Sequence, residues 1–205
     1  MSEKKEATVL TIGHSSHPIE RFVALLKQNG VTAVADVRSS PFSRHNPQYN
    51  RESLLEALSG AGIVYVFVGK ELGARSSDPS CYENGRVQYA RLAKTSLFES
   101  GIDRVLQGVK KYRIALMCAE KEPLDCHRTL LVSRALESRE VSILHILSNG
   151  EAEPQSKTMS RLLDMVGLPQ EDMFRTREQL IEEACKLREQ KVAYVDASQV
   201  EQVNP

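Results

Sequence analysis

The stretch Arg113-Ile-Ala-Leu-Met-Cys-Ala-Glu-Lys-Glu-Pro-Leu-Asp-Cys-His-Arg128, with the run Thr129 to Arg139 that follows it, decides the fold class. Arg113 to Met117 is short and apolar, which predicts a buried strand. Thr129 to Arg139 carries leucines and an alanine at helical spacing, which predicts a helix. A strand, a polar turn and a helix in this order indicate an α/β unit. Because ligands of open α/β sheets bind at the carboxyl ends of the strands, we expect a functional site in the turn.

The predicted turn concentrates a carboxylate, a thiol, an imidazole and a guanidinium. Asp125 is expected to cap the helix, so that Cys126, His127 and Arg128 occupy its first turn. Free N–H groups and the positive end of the helix dipole favour an anion or a thiolate there. Since arginine is unfavourable at this position unless an anion answers it, Arg128 is predicted to bind one. Cys126 can be a reactive thiol or a packed side chain, and both alternatives stay open. Cys118 is predicted to be a packed side chain.

Two more predicted strands end in chemically useful residues. Ala7 to Ile12 reads as a strand that is followed by His14 and Ser15, and Val31 to Ala35 as a strand that runs into Asp36-Val-Arg38. The carboxyl ends of parallel strands lie along one edge of a sheet. We therefore expect these groups to converge with those of the first turn in a single cleft.

The remaining pattern predicts the architecture. Apolar runs at 63–68 and 141–146 complete a mostly parallel, Rossmann-like sheet of about five strands with helices on both faces. Helices are predicted at 19–29, at 51–58, over 87–111 with a break near Ser100-Gly101, at 157–166, and from Thr176 to about 191, with a long loop over 69–86. Residues 7–150 are expected to form one α/β domain. Residues 151–205, which begin with a polar turn, are expected to form a helical extension that packs on this domain or on a partner subunit.

Composition excludes several classes of protein. The chain has 205 residues with 27 basic and 27 acidic side chains, so net charge does not favour nucleic acid. No apolar run approaches the about 18 residues that span a membrane, and the N-terminus lacks the apolar region of a secretory signal. Four cysteines at irregular spacing in such a chain favour reduced thiols and a cytoplasmic location. The sequence gives no indication of the oligomeric state.

Several of these motifs also resemble those of one family in content and order. They are Thr11-Ile-Gly-His-Ser15, Asp36-Val-Arg38 with Pro41, Ser43 and Arg44, Leu72-Gly73, Cys118-Ala-Glu120 through Pro123 to Cys126-His-Arg128, and His145-Ile146 with Gly150. On these residues the chain is identified as a member of the domain-of-unknown-function 488 family, from about Thr8 to Gly150. The resemblance implies a fold and a set of site residues, and the reaction and any cofactor stay unknown.

The favoured hypothesis is an enzyme that acts on a phosphate-bearing substrate, a nucleotide or a nucleic acid. The predicted catalytic residues are Asp36, Glu120, His14 and Cys126, and the predicted substrate-binding residues are Ser15, Arg38, Arg44, His127 and Arg128. A carboxylate beside arginines stays ionised and suits a general base, for which Asp36 and Glu120 are alternatives. Asp36 can instead pair with Arg38 or Arg44 and only position them.

Three other readings stay open. A thiol enzyme would transfer sulfur through Cys126. A metal site would use Cys118, Cys126, His127 and His14, but two consecutive residues on a helix point about 100° apart and rarely share an ion, so no metal ligand is predicted. A non-enzymatic module for nucleotides or nucleic acid would use the same arginines and would not need Glu120, His14 or Cys126.

Overall fold

A mostly parallel sheet forms the centre of the molecule, of which the computed structural model describes residues 7–199. Its six strands are β1 (Thr8–Gly13), β2 (Ala33–Asp36), β3 (Val64–Phe67), β6 (Ile114–Cys118), β7 (Ser142–Ile146) and β8 (Ala152–Pro154), and a separate hairpin consists of β4 (Tyr82–Glu83) and β5 (Arg86–Val87). The order is β3-β2-β6-β1-β7-β8, with β8 alone antiparallel to its neighbour. The predicted α/β class is confirmed, with one strand more than expected.

The sixth strand lies where the sequence predicted a polar turn. Strand β8 has three residues and pairs with β7 through Leu144–Pro154 to Ile146–Ala152. Three residues are too few for an alternating pattern to stand out, so only the pairing identifies the strand. It attaches the beginning of the 151–205 segment to the same sheet as the rest of the chain.

Helices cover both faces of the sheet. They are α1 (Ile19–Gln28), α2 (Arg51–Gly60), α3 (Gly69–Leu72), α4 (Tyr89–Leu92), α5 (Ser96–Gly108), α6 (Arg134–Glu137), α7 (Gln155–Val166) and α8 (Arg177–Val192). Successive side chains of a strand point to opposite faces. Thus Leu10 of β1 packs in one core with α1 and α2, whereas Val9 packs in the other with α5, α7 and α8.

The break that was predicted near Ser100-Gly101 is wrong. Gly101 lies inside α5, and the chain instead breaks between α4 and α5, where the Thr95 side chain accepts from the N–H of Phe98 and caps α5. A Cβ on Gly101 would lie 2.6 Å from Cβ of Glu71. This glycine therefore serves the close approach of α5 to α3 and does not interrupt the helix.

The segment over 69–86, predicted as a loop, contains α3, a 3₁₀ turn at Pro79–Cys81 and the strands β4 and β5. The C-terminal tail returns to this hairpin. Val87 N–H donates to Tyr194 O at 3.0 Å, and Arg86 forms an antiparallel bridge with Val195. The tail therefore reaches the edge of the sheet where the strand-end residues lie.

The C-terminal helices pack on the face of the sheet. Thr176 begins α8, as predicted, with a capping box in which its side chain and that of Gln179 bond each other's backbone N–H groups. Leu162, Leu163 and Leu180 join the core beneath the sheet. Within residues 7–199, no helix is long and apolar enough to cross a membrane.

Candidate functional site

A cleft of about 530 Å³ opens at the carboxyl ends of β1, β2 and β6. These three strands are neighbours in the order β2-β6-β1, which brings their following loops side by side. Six predicted site residues line the cleft, namely His14, Ser15, Arg38, Glu120, His127 and, from the open alternatives, Cys118. Four others do not line it: Asp36, Cys126 and Arg128 are buried beneath its surface, and Arg44 is exposed outside it.

The helix that follows the turn begins two residues later than predicted, as a π-helix over Arg128–Ser133 that continues into α6 and has His127 as its N-cap. Pro123–Asp125 forms a 3₁₀ turn capped by Glu122, and Cys126 is extended, with φ −134° and ψ 139°. The carbonyl of Cys126 accepts from the N–H of Thr129, and its Sγ accepts from the N–H of Arg128 at 3.4 Å. Cys126 thus precedes the helix instead of lying in its first turn, and Asp125, the predicted N-cap, instead pairs with Arg188.

Arg128 is fully buried and donates to main-chain carbonyls of the preceding loop. Its Nη1 donates to Glu120 O at 2.7 Å and its Nη2 to Lys121 O at 3.4 Å. An arginine at a helix N-terminus was expected to answer an anion in the cleft. In the structure, backbone carbonyl groups take the place of that anion, and by binding them Arg128 fixes the loop that carries Glu120.

Gly13 fixes the same loop from the other side. A Cβ at this position would lie 1.8 Å from Glu120 O, so only glycine lets the loop cross the end of β1. Backbone bonds continue beyond the strands, from His14 N–H to Cys118 O and from Ser15 N–H to Ala119 O, both at 2.9 Å. The backbone beneath Glu120 is therefore held by β1 and Arg128 together, while the Glu120 side chain lines the cleft.

Cys118, Cys126 and His127 form a compact cluster in the floor of the cleft, the thiol–imidazole cluster. Nδ1 of His127 lies 3.8 Å from the sulfur of each cysteine, and the three ligand atoms are all within 4.8 Å of one another. The three residues are 3%, 1% and 8% exposed. The expectation that Cys126 and His127 point apart is wrong, because Cys126 is extended and does not follow helical geometry.

Glu120 extends this cluster toward the cleft. Its Oε2 lies 3.0 Å from the sulfur of Cys126. Two anions at this distance would repel, so a proton is shared between them. The arrangement combines a carboxylate, two sulfurs and an imidazole in one place.

The charges in this cluster depend on one another. Burial opposes ionisation of Cys126, but the hydrogen bond from Cys118 and the charge of Arg128 outweigh it and lower the pKa of Cys126. The same hydrogen bond, together with burial, raises the pKa of Cys118. Burial and the nearby Cys126 sulfur raise the pKa of Glu120. Burial disfavours the charged form of His127, yet the Cys126 thiolate raises its pKa. The two thiols thus behave as a pair that readily gives up its first proton.

A second group of predicted residues, around Arg38, is already matched with protein partners. Arg38 donates from Nε and Nη2 to the two oxygens of Asp36 at 2.9 and 2.7 Å, and again from Nη2 to Tyr49 O. Tyr65 donates to the same carboxylate at 2.9 Å. The structure therefore shows the alternative in which Asp36 pairs with Arg38 and positions it.

His14 completes this second group as a neutral imidazole. Nδ1 donates to Ser15 O at 2.8 Å, so Nε2 is the acceptor that faces Nη1 of Arg38 at 3.3 Å. Burial lowers the pKa of His14 to about 4, with the charge of Arg38 acting in the same direction. The ring also stacks on Tyr49 at 4.1 Å between centroids.

The predicted site residues do not include the far wall of the cleft. Arg75 and Tyr194 line it, with the guanidinium of Arg75 4.6 Å from the centre of the Tyr194 ring. A signal for Arg75 existed in the family motif Leu72-Gly73 beside it, whereas nothing in the sequence pointed to Tyr194. Phe42 also lines the cleft and is 66% exposed, whereas Tyr49 is buried against His14.

Comparison with known proteins gives a family and no activity. The family model described as "Domain of unknown function DUF488" matches residues 18–135, more than half of the chain. The match includes both cysteines of the thiol–imidazole cluster and Glu120, and begins after His14. No curated protein and no solved structure matches the chain. The chain therefore belongs to the DUF488 family.

Proposed function

We propose that the protein is a hydrolase that acts on a phosphate-bearing molecule of nucleotide size in the strand-end cleft, with Glu120 as its acid–base group. The observation that carries this proposal is the position of Glu120, whose backbone is fixed by its neighbours. A fully buried arginine and a glycine that tolerates no Cβ hold its backbone, while its carboxylate faces the cleft against Cys126. A binding site for an anion gains nothing from such a carboxylate, because like charges repel.

The phosphate would be bound by Arg75 rather than by the arginines that the sequence suggested. Arg38 donates to Asp36 and Tyr49, and Arg128 donates to carbonyls beneath the floor. Arg75 presents its guanidinium to the cleft, next to a wall that holds Ser39, Ser40, Ser43 and Asn46. Hydroxyl and amide groups beside a guanidinium are suited to phosphate oxygens. Phe42 is exposed at the same cleft and offers a flat apolar surface for a base.

The experiment compares Glu120→Gln with the parent on a panel of nucleoside mono-, di- and triphosphates. Binding is measured by calorimetry and conversion by chromatography of the reaction mixture. We expect the variant to bind at least as tightly and to lose turnover by about 100-fold or more, the range for an acid–base group. Asp125→Asn is the matched control, because this carboxylate also lines the cleft but pairs with Arg188.

A second pair of variants tests the phosphate site. Arg75→Gln is expected to weaken nucleotide binding by about 10–100-fold, the equivalent of one charged hydrogen bond. Arg139→Gln removes an exposed arginine that pairs with Glu99 away from the cleft, and should leave binding unchanged. A panel that is neither bound nor converted would refute the phosphate-bearing substrate. Equal turnover by Glu120→Gln and the parent would refute the role of Glu120 and favour the binding module.

Sulfur transfer through the two cysteines is the second candidate. It is favoured by the lowered pKa of Cys126 and by the N–H of Arg128 that faces its sulfur. Cys118, not Cys126, lines the cleft, so the cysteine that meets a substrate in this reaction would be Cys118. This mechanism requires both sulfurs to be free of other ligands, which a measurement of bound metal decides.

A further inference from the structure

We infer that Cys118, Cys126 and His127 bind a zinc ion whose fourth position opens into the cleft. Three protein ligands of this kind, two sulfurs and one imidazole, occur in catalytic zinc sites that keep one position for water or substrate. The site itself follows from the side chains alone, and only the role of the ion in hydrolysis rests on the function proposed above.

The distances within the thiol–imidazole cluster suit a tetrahedral ion. Zinc bonds of about 2.3 Å to sulfur and about 2.0–2.1 Å to nitrogen place a sulfur and a nitrogen about 3.5–3.6 Å apart around one tetrahedral ion, within about 0.3 Å of the distances in the cluster. Nδ1 of His127 lies 3.8 Å from each of the two sulfurs. A single lone pair on Nδ1 cannot accept from two thiols at once, whereas one ion between the three atoms satisfies all of them.

The orientation of His127 supports the same assignment. Its Nε2 donates to the carbonyl of Val37 at 3.0 Å. In the neutral ring this leaves Nδ1 without a proton and directed at the two sulfurs. A metal-bound histidine typically gives its other N–H to a carbonyl or carboxylate, which fixes the tautomer and the plane of the ring.

The surroundings also suit two thiolates. The N–H of Arg128 faces the sulfur of Cys126 at 3.4 Å, and the charged guanidinium of Arg128 is buried close by. An ionised thiol that is removed from water requires such a partner or a cation. Two thiolates and one divalent ion are neutral together, which makes a fully buried cluster tolerable.

The open position gives the ion a role in hydrolysis. Cys118 and His127 both line the cleft, as does Glu120, so a water on the ion would face the substrate and the carboxylate. Zinc lowers the pKa of its bound water to about 7. Zinc binding would release the proton that Glu120 shares with Cys126, and the ionised Glu120 would then accept a proton from the water that attacks the electrophilic atom of the substrate. As the bond to the leaving group breaks, Glu120 would return that proton to the leaving group.

The test measures metal in the full chain, produced without a histidine tag in medium that contains zinc. We expect about one zinc ion per chain by mass spectrometry. The protein with zinc replaced by cobalt(II) should absorb in the visible and near ultraviolet, as tetrahedral cobalt with sulfur ligands does. This spectrum needs no variant, so it reports on the site even if substitutions in the buried cluster prevent folding.

Variants assign the ligands. Cys118→Ser, Cys126→Ser and His127→Gln should each weaken cobalt binding by more than about 100-fold, beyond the about 10–100-fold that changes around a site produce. Cys81→Ser and Cys185→Ser are the matched controls and should bind cobalt as the parent does, because both thiols lie outside the cluster. Protein without zinc, and without a sulfur-to-cobalt band after cobalt is added, would overturn the inference.

The two proposals fail in different ways. If Glu120→Gln keeps both its zinc and the turnover of the parent, the zinc site is supported and the acid–base role of Glu120 is refuted. A chain that binds no metal but loses turnover in Glu120→Gln would refute the zinc site and leave the hydrolase standing. Metal-free protein that is alkylated at Cys118 as it loses activity would instead identify the thiol enzyme.

Discussion

His145 should make the protein lose stability in mild acid. Its imidazole is fully buried in β7, where Nε2 faces the amide oxygen of Gln155 and Nδ1 lies 2.7 Å from the hydroxyl of Thr11. The amide oxygen can only accept, so Nε2 carries the proton and Nδ1 accepts from Thr11. Both nitrogens of a neutral ring are thus satisfied. Burial lowers the pKa of His145 to about 4.

The sign and size of the effect follow from this pKa. The unfolded chain takes up a proton near pH 6.5, whereas the folded chain resists until about pH 4. Protons therefore favour the unfolded state between these values. Stability is fully present above pH 6.5 and is lost as the pH falls towards 4. A pKa difference of this size corresponds to at most about 3 kcal/mol, of which about 2 kcal/mol is lost between pH 7 and pH 5.

The assay follows urea unfolding by circular dichroism over pH 7.5 to 4.5, because the chain has no tryptophan to report by fluorescence. In His145→Gln the free energy of unfolding should fall by about 2 kcal/mol less than in the parent between pH 7 and pH 5. His14 has a similarly lowered pKa and adds its own loss to both proteins, so the difference isolates His145. His45→Gln, at an exposed position, should behave as the parent does.

Parallel curves for the parent and His145→Gln would refute this reasoning. A ring that is already charged at pH 5 in nitrogen-15 spectra of the folded parent would do the same, and this measurement does not depend on whether the variant folds.

Two further predictions concern the frame of the cleft. Gly13→Ala should lower the free energy of unfolding by about 3 kcal/mol or more in the same urea assay, because the new Cβ would overlap Glu120 O. Gly60→Ala, which has open space around it, is the control and should leave the free energy of unfolding unchanged or raise it by up to about 1 kcal/mol. Asp36→Asn should lower the free energy of unfolding by about 3–5 kcal/mol in thermal or urea unfolding, because the buried charge of Arg38 loses its anionic partner. The reasoning fails if the double variant Asp36→Asn, Arg38→Met is no more stable than Asp36→Asn alone.

The sheet could be predicted because its central strands β1, β2 and β6 are short, apolar and buried on both faces. Such runs differ from the amphipathic helices between them, and their order along the chain fixes which ends of the strands meet. That is why His14, Arg38, Cys118 and Glu120 could be assigned to one cleft from sequence. Strand β8 was not predicted because three residues are too few to show an alternating pattern.

The direction in which a side chain points could not be predicted in the same way. Arg128 follows the turn directly, and whether its guanidinium enters the cleft or turns beneath it depends on carbonyl groups of the loop around Glu120. Those carbonyls are in place only because Gly13 lets that loop cross β1. Similarly, one extended residue, Cys126, reverses the prediction that its side chain and that of His127 point apart.

The two polar groups at the rim differ in a way that separates positioning from chemistry. Around Arg38, the Asp36 carboxylate accepts from Arg38 and Tyr65, and the neutral His14 ring has a partner at each nitrogen. Such a closed network resists change, since every new contact would break an existing one.

The thiol–imidazole cluster is not closed in this sense. One imidazole nitrogen faces two sulfurs at equal distance, and the carboxylate of Glu120 faces a sulfur that readily ionises. Buried polar atoms that their neighbours leave incompletely matched cost free energy unless something else completes them. A metal ion and a substrate would complete these atoms, whereas the Arg38 network needs neither. The chemistry of the cleft is therefore expected on the side of Cys118 and Glu120, with Arg38 and Asp36 holding the opposite side in place.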